Sequence, residues 1–278
     1  MKYALFTDNL SDLDINQVCE EVKKHGFNGI DLTLRPGGHV APENVEMGLS
    51  RAYQVAMRTG IEILMASTAI TGVDSPNARN IIKSCGHYEV RQIKLGYWRY
   101  HPFGTLIKQI DAARRKLEKI IKLTARYCIQ PCVHVHSGDI LANGGSILYL
   151  ILKEFDPDTV GAYVDPMHMT VEGGLSGWEM GLDLVAPWVS LVGMKNFHWI
   201  PVERDSHGQM QFRSQYVPLA DGQAPLPRFM RRLKDLQYDG TVSLHSEYKG
   251  GSSFRSLNSA ELLDQSAEDL AYLKSVLP

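Results

Sequence analysis

Short apolar runs alternate along the chain with longer stretches in which apolar residues recur every three or four positions. Residues 1–7 and 61–66 predict buried strands, whereas residues 105–127 predict a long amphipathic helix. Eight such strand-then-helix units can be counted in the 278 residues. This alternation is typical of a parallel sheet, and eight units favour a closed (β/α)8 TIM barrel, an α/β fold, in one domain over 1–278. An open doubly wound sheet is disfavoured, because Asp8-Asn9-Leu10 follows the first strand instead of a glycine-rich turn.

Several of the later strands become polar where they end. Residues 131–139 read Pro-Cys-Val-His-Val-His-Ser-Gly-Asp, which places two histidines on one face of a strand. The segments 160–168, 189–198 and 241–247 also end in His, Asp, Lys or Glu. Active sites of TIM barrels lie at the C-terminal ends of the strands, so these side chains are predicted to share one site. The polar residues gathered there are Arg35, His39, Tyr97, Arg99, His134, His136, Asp165, His168, Lys195, His198, His245 and Glu247.

Histidine is concentrated in this set, and no cysteine belongs to it. Imidazole and carboxylate groups together suit Zn²⁺, Mn²⁺, Fe²⁺ or Co²⁺ better than Ca²⁺ or Mg²⁺. A structural role is the simpler explanation for any one of these histidines. Four strands that end in the same way predict a divalent metal site.

Composition and charge narrow the function further. The formal net charge is -2 and no basic run stands out, so nucleic acid is not expected as a partner. Four cysteines without CxxC spacing are typical of a reduced, cytoplasmic protein. No apolar run approaches the length of a membrane span, and the N-terminus turns polar too soon for a signal peptide. A homo-oligomer is compatible with all of this.

One connection is much longer than the others. Residues 199–225, after the seventh predicted strand, are polar and irregular. Loops of this length in compact domains are usually lids, binding loops or disordered segments. Because this one leaves the catalytic face, a substrate-covering lid is the favoured interpretation.

The eight-unit pattern, the Asp165-Pro-Met-His168 sequence and the Val-Gly-Met-Lys-Asn segment at 192–196 resemble the xylose isomerase-like TIM barrels. That group includes sugar and sugar-phosphate isomerases and epimerases, inosose dehydratases and AP endonucleases. The resemblance implies a Glu, Asp, His, Glu metal site on strands five to eight. Only Asp165 matches it directly.

The other three metal positions depart from the family pattern. His134 stands where the first Glu is expected, Gly193 where the His is expected, and His245 where the last Glu is expected. The ligand set implied here is therefore drawn from five residues: His134, His136, Asp165, His245 and Glu247. A shift outward by one side-chain layer, to His136, Asp165 and Glu247, is slightly preferred because it keeps both carboxylates.

The resemblance implies proton transfer through an enediolate on a sugar, sugar phosphate or polyol derivative. A metal would polarise the carbonyl, Glu247 or a histidine (His136 or His168) would move the proton, and Lys195 would offset the negative charge. The carbohydrate would be contacted by Arg35, His39, Tyr97, Arg99 and His198.

Three alternatives stay open at this point. The same enediolate can lose a β-hydroxyl, so a dehydratase or lyase acting on a keto sugar or inosose is close behind. The departures from the ligand pattern would also fit a non-catalytic carbohydrate-binding barrel. An AP-endonuclease-like phosphodiesterase is the weakest, since it would need more histidines on early strands than His39 and a basic face.

Overall fold

The computed structural model describes residues 1–277 as a closed barrel of eight parallel strands surrounded by eight helices. The TIM barrel predicted from the alternating pattern is therefore confirmed. The strands close in the order β1-β10-β7-β6-β5-β4-β3-β2. They are β1 (Lys2–Phe6), β2 (Gly29–Leu34), β3 (Glu62–Thr68), β4 (Gln92–Lys94), β5 (Gln130–His134), β6 (Gly161–Val164), β7 (Val189–Met194) and β10 (Thr241–Leu244).

The helices begin and end where the local sequence provides the signals. Asp14 caps the first helix in a capping box with Gln17, and Asn258 caps the last with Glu261. Gly60 ends the second helix in the left-handed conformation. The helices are α1 (Ile15–Lys24), α2 (Val45–Thr59), α3 (Ala78–His87), α4 (Leu106–Thr124), α5 (Gly144–Leu152), α6 (Pro166–Val185), α7 (Leu226–Asp235) and α8 (Ser259–Ser275).

The barrel interior changes from apolar to polar along its axis. Met65, Cys132, Tyr163 and Leu191 form a small fully buried cluster inside the strands. The larger apolar core is built from strand and helix residues together. Towards the C-terminal ends of the strands the interior side chains become charged or imidazole groups, so the topology gathers them at one mouth of the barrel.

The long connection after the seventh barrel strand contains an antiparallel hairpin. β8 (Asn196–Arg204) pairs with β9 (Met210–Val217), and a short 3-10 turn (Leu219–Asp221) follows. No alternation of apolar and polar residues predicts these two strands, because the hairpin has few buried residues. Its role as a lid stays a prediction.

Within residues 1–277, no helix is both long enough and apolar enough to cross a membrane.

Candidate active site

A cavity of about 360 Å³ opens at the C-terminal mouth of the barrel. Side chains from seven barrel strands or the residues shortly after them line it, together with Tyr216 from the hairpin. The lining residues include Arg35, Ser67, Lys94, Tyr97, His134, His136, Lys195, His245 and Glu247. The cavity is rich in charge and poor in apolar surface, as expected of a site for a polar ligand.

A buried ion pair crosses the cavity floor. The Lys195 Nζ atom lies 3.0 Å from Glu247 Oε1 and 4.0 Å from Asp165 Oδ2. Burial opposes the charged form of Lys195, but the two carboxylates outweigh it and hold the pKa of Lys195 above its usual value. Burial also opposes the Glu247 carboxylate, yet Lys195 and His245 lower the pKa of Glu247 to about 2. At neutral pH the pair is therefore ionised on both sides.

Asp165 lies beneath this pair, and the backbone fixes its position. The residue follows β6 and caps α6, since its Oδ1 atom accepts hydrogen bonds from the backbone N–H groups of Met167 and His168. The other carboxylate oxygen, Oδ2, is buried without a hydrogen bond to any residue in 1–277. Burial raises the pKa of Asp165 to about 6, although Lys195 acts in the opposite direction.

Three histidines pack together beside Asp165. The rings of His136 and His168 are 3.8 Å apart between centroids, and the ring of His134 lies 5.8 Å from that of His168. Burial lowers the pKa of each, to about 4 for His136. These imidazoles are therefore neutral near pH 7, and a neutral ring has one nitrogen that donates and one that accepts.

Hydrogen bonds select which nitrogen carries the proton. His136 Nδ1 lies 2.9 Å from the Ser137 carbonyl oxygen and donates to it, so Nε2 of the neutral ring is an acceptor. The Ser137 backbone N–H instead donates to His168 Nδ1, which places the proton of His168 on Nε2. His134 Nδ1 is hydrogen-bonded to the Tyr97 hydroxyl at 3.0 Å. Of these three rings, His134 and His136 line the cavity, and His168 lies behind them.

The five residues predicted as metal ligands do not assemble into a donor cluster. His245 Nε2 is hydrogen-bonded to the Tyr163 hydroxyl at 2.7 Å, and Glu247 is paired with Lys195. Among residues 1–277, no three His, Cys, Asp or Glu side chains are arranged to hold a metal ion.

The nearest approach to such a cluster consists of three atoms without hydrogen bonds. His134 Nε2 and His168 Nε2 lie 3.8 and 3.9 Å from Asp165 Oδ2. Two ligands about 2.1 Å from one tetrahedral ion would stand about 3.4 Å apart, which is closer than either pair. The Lys195 ammonium also faces the same carboxylate oxygen and supplies the positive charge there. The residues present therefore do not fit the metal site that was predicted.

Gly193 contributes to this arrangement through the side chain that it lacks. A Cβ atom at this position would lie 3.2 Å from Asp165 Oδ2 and 3.5 Å from His134 Nε2. The family pattern has a histidine here. Because glycine replaces that histidine, the Asp165 carboxylate faces Lys195, His134 and His168.

The structure divides the predicted substrate-binding residues into two groups. Arg35 and Tyr97 line the cavity, and Arg35 is paired with Asp8 at 2.5 Å. Three others lie outside the cavity lining, where each is held by a local partner. His39 is hydrogen-bonded to the carbonyls of Leu10 and Leu13, Arg99 to Asp139, and His198 to the Asp221 carbonyl.

Some cavity residues were not predicted from the sequence. Lys94 ends β4, and Tyr216 comes from the hairpin. A signal for Lys94 existed, since the fourth predicted strand (90–97) is less apolar than the others. No pattern indicated Tyr216, because its place depends on how the hairpin folds over the mouth of the barrel.

Comparison with known proteins agrees with this architecture. A family model described as xylose isomerase-like TIM barrel matches residues 19–276. The chain belongs to that family. The expected resemblance is therefore confirmed over nearly the whole chain.

Solved structures similar to this family member share its fold at low sequence identity. A D-psicose 3-epimerase from Clostridium cellulolyticum H10, crystallised with D-tagatose, is 15% identical with a TM-score of 0.72, covering 100% of this chain and 99% of that one. A probable 3-DHS dehydratase from Bacillus anthracis is 15% identical with a TM-score of 0.73, covering 98% and 99%. A xylose isomerase-like protein from Mycobacterium smegmatis, in complex with magnesium, is 17% identical with a TM-score of 0.71, covering 99% and 96%. The chain matches no curated protein.

Proposed function

We propose that the protein is an isomerase or epimerase that moves a proton next to the carbonyl of a sugar, sugar phosphate or polyol derivative. The observation that carries this proposal is the Lys195–Glu247 ion pair beside neutral, cavity-lining histidines. Proton transfer next to a carbonyl needs a base and a group that stabilises the negative charge of the enediolate. The D-psicose 3-epimerase that shares this fold, crystallised with D-tagatose, supports a carbohydrate as the substrate class.

Lys195 is assigned the electrostatic role. Its ammonium is buried and held in place by Glu247 at 3.0 Å, so it is pre-organised before substrate binds. A fixed cation in a site shielded from water stabilises developing negative charge more than a cation in solution. No step is assigned to a metal ion, since the donor atoms do not fit one.

His136 is assigned the role of general base. Its Nε2 atom is the accepting nitrogen, and the low pKa keeps it unprotonated over the neutral range. Glu247 is less suited to this role, because its Oε1 atom accepts a hydrogen bond from Lys195 and its pKa of about 2 makes it a weaker base than His136. His168 packs behind the His136 ring and positions it, and Asp165 positions Lys195.

Substrate contacts are assigned to Arg35 and Tyr97, which line the same cavity. Arg35 has donors suited to hydroxyl or phosphate oxygens. His134 is assigned the return of the proton, because its ring also lines the cavity.

Hydrogen exchange tests this function. The protein would be incubated in deuterated buffer with D-fructose, D-tagatose, D-allulose and a keto-inositol, and loss of the proton next to the carbonyl followed by NMR. We expect exchange with at least one of these compounds, and a fall of about 100-fold or more in His136→Gln. His87→Gln is the matched control, since His87 is exposed at the end of α3 and far from the cavity lining.

The same experiment separates isomerisation from elimination. A dehydratase would produce an unsaturated carbonyl compound with a new ultraviolet absorbance, which an epimerase would not. A folded wild-type protein that exchanges no proton in any of these compounds would contradict the proposal and favour a non-catalytic carbohydrate-binding barrel.

A further inference from the structure

Of the lysines and arginines that line the cavity, Lys94 is the one with no carboxylate oxygen at ion-pair distance among the described residues 1–277. Arg35 is paired with Asp8, Lys195 with Glu247, and Lys249 with Asp12. The Lys94 Nζ atom has no hydrogen bond or ion pair within residues 1–277 and lies 3.6 Å from the centre of the Tyr97 ring. A buried lysine that faces an aromatic ring instead of a carboxylate is costly in its charged form, so its presence at a strand end in the cavity points to a chemical role.

The surroundings of Lys94 favour its uncharged form. The side chain is only 4% exposed, and burial, followed by the nearby Arg35 guanidinium, lowers the pKa of Lys94 to about 7. A neutral amine has a lone pair and is a nucleophile towards carbonyl carbon. Lys195, in contrast, is held charged by two carboxylates and has no such lone pair. The two lysines of the cavity therefore differ in chemistry.

We propose that Lys94 is the nucleophile of the reaction and forms an imine with the carbonyl carbon of the substrate. This inference rests on the proposed function, which supplies the carbonyl compound. The location of Lys94 supports it, since its amine lies in the same cavity as Lys195 and the base His136.

The step balances without an oxidant or a reductant. The Lys94 nitrogen bonds to the carbonyl carbon as the C=O π bond breaks, the oxygen takes up a proton from solvent, and the nitrogen loses one proton to His136 Nε2. His136 then returns its proton to the new hydroxyl, which departs as water and leaves a protonated imine. Removal of the neighbouring proton gives a neutral enamine, and reprotonation of the same carbon on its opposite face restores the protonated imine. Addition of water to the imine carbon then releases the epimerised product and the amine.

An imine also accounts for the missing metal ligands. A protonated imine withdraws electrons from the neighbouring carbon, which is the role that a carbonyl-polarising ion would have. The enediolate of the proposed function then becomes an enaminol. Lys195 would contact the hydroxyl oxygen of this enaminol, which is bound to the carbon next to the imine carbon.

Reductive trapping tests this directly on the unmodified protein. The full-length protein would be incubated with dihydroxyacetone and sodium cyanoborohydride, digested and mapped by mass spectrometry. We expect a reduced adduct on Lys94 to form much faster than on Lys83, an exposed lysine of α3 that serves as the internal reference. Competitive acetylation across pH 6 to 10 would show in parallel whether the Lys94 amine reacts at lower pH than Lys83.

Two variants separate covalent from electrostatic roles. Lys94→Arg keeps a positive charge but cannot form an imine, so we expect it to lose proton exchange while circular dichroism shows a folded protein. Lys94→Met should lose exchange as well. Lys83→Arg should retain the wild-type rate. Full exchange in Lys94→Arg would overturn the proposal and identify Lys94 as a charge that contacts the substrate.

The outcomes distinguish this inference from the proposed function. Proton exchange in the wild-type protein with no preferential adduct on Lys94 overturns the imine and leaves the isomerase intact. An adduct on Lys94 without proton exchange supports the nucleophile and contradicts the isomerase. Neither exchange nor adduct overturns both.

Discussion

Replacing Lys195 with methionine tests whether the ion pair at the cavity floor governs stability as well as chemistry. Methionine has a similar length but no charge, so Glu247 and Asp165 would lose the cation that lies 3.0 and 4.0 Å away. Both carboxylates would then lack the cation that outweighs the cost of their burial. We expect the variant to be destabilised at neutral pH.

The magnitude follows from the pKa of Glu247. The fall from 4.5 to about 2 corresponds to about 3 kcal/mol of favourable interaction for the charged form. The Glu247 side chain is 25% exposed, so solvent reduces this figure somewhat. Removing one partner of a buried pair costs about 3–5 kcal/mol in general. We therefore expect Lys195→Met to lower the free energy of unfolding by about 2–4 kcal/mol.

Urea denaturation of the wild type, both single variants and Lys195→Met/Glu247→Gln measures the pair as a double-mutant cycle. A coupling energy of about 2–3 kcal/mol is expected at pH 7. Because the folded pKa of Glu247 lies below its unfolded value, its contribution is present above about pH 4.5 and is lost as pH falls towards 2. The deficit of Lys195→Met should therefore shrink at acid pH. A coupling energy below about 0.5 kcal/mol, within the usual error of additivity, would refute this reasoning.

Two further predictions concern packing and pH. Gly193→Ala would place a Cβ atom 3.2 Å from Asp165 Oδ2 and 3.3 Å from Tyr163 Cε2, so we expect a loss of about 1–3 kcal/mol in urea denaturation. Gly177→Ala is its control, since a Cβ atom there meets nothing within 4 Å and alanine favours the helix; equal losses in both would contradict the packing argument. Burial raises the pKa of Asp269 from 3.8 to about 6, so its contribution is full below about pH 4 and is lost as pH rises through 6. The stability of the wild type relative to Asp269→Asn should fall by about 3 kcal/mol between pH 4 and 7, and a difference that does not change with pH would contradict the assignment.

The sequence alone determined the architecture and the end of the barrel at which the charged and imidazole side chains gather. Eight alternations of strand and helix leave few ways to bury the apolar faces of the strands, and a closed barrel is the one that matches. Parallel strands also bring all their C-terminal ends to one mouth. Polar residues at those ends, such as His134, Asp165 and Lys195, were therefore placed in one site by topology alone.

Only the tertiary structure decided which of these side chains are partners. The sequence spacing of His136 and Glu247 is compatible with either a metal ligand or a base. The stagger of the strands and the depth of each side chain in the barrel decide which groups these residues face. His39 is held by backbone carbonyls that come from a distant turn, and no local pattern could show this. The sequence alone does not show that Lys94 is buried, or that its Nζ atom faces the Tyr97 ring instead of a carboxylate. Charge pairing depends on distances in space, which sequence spacing alone does not determine.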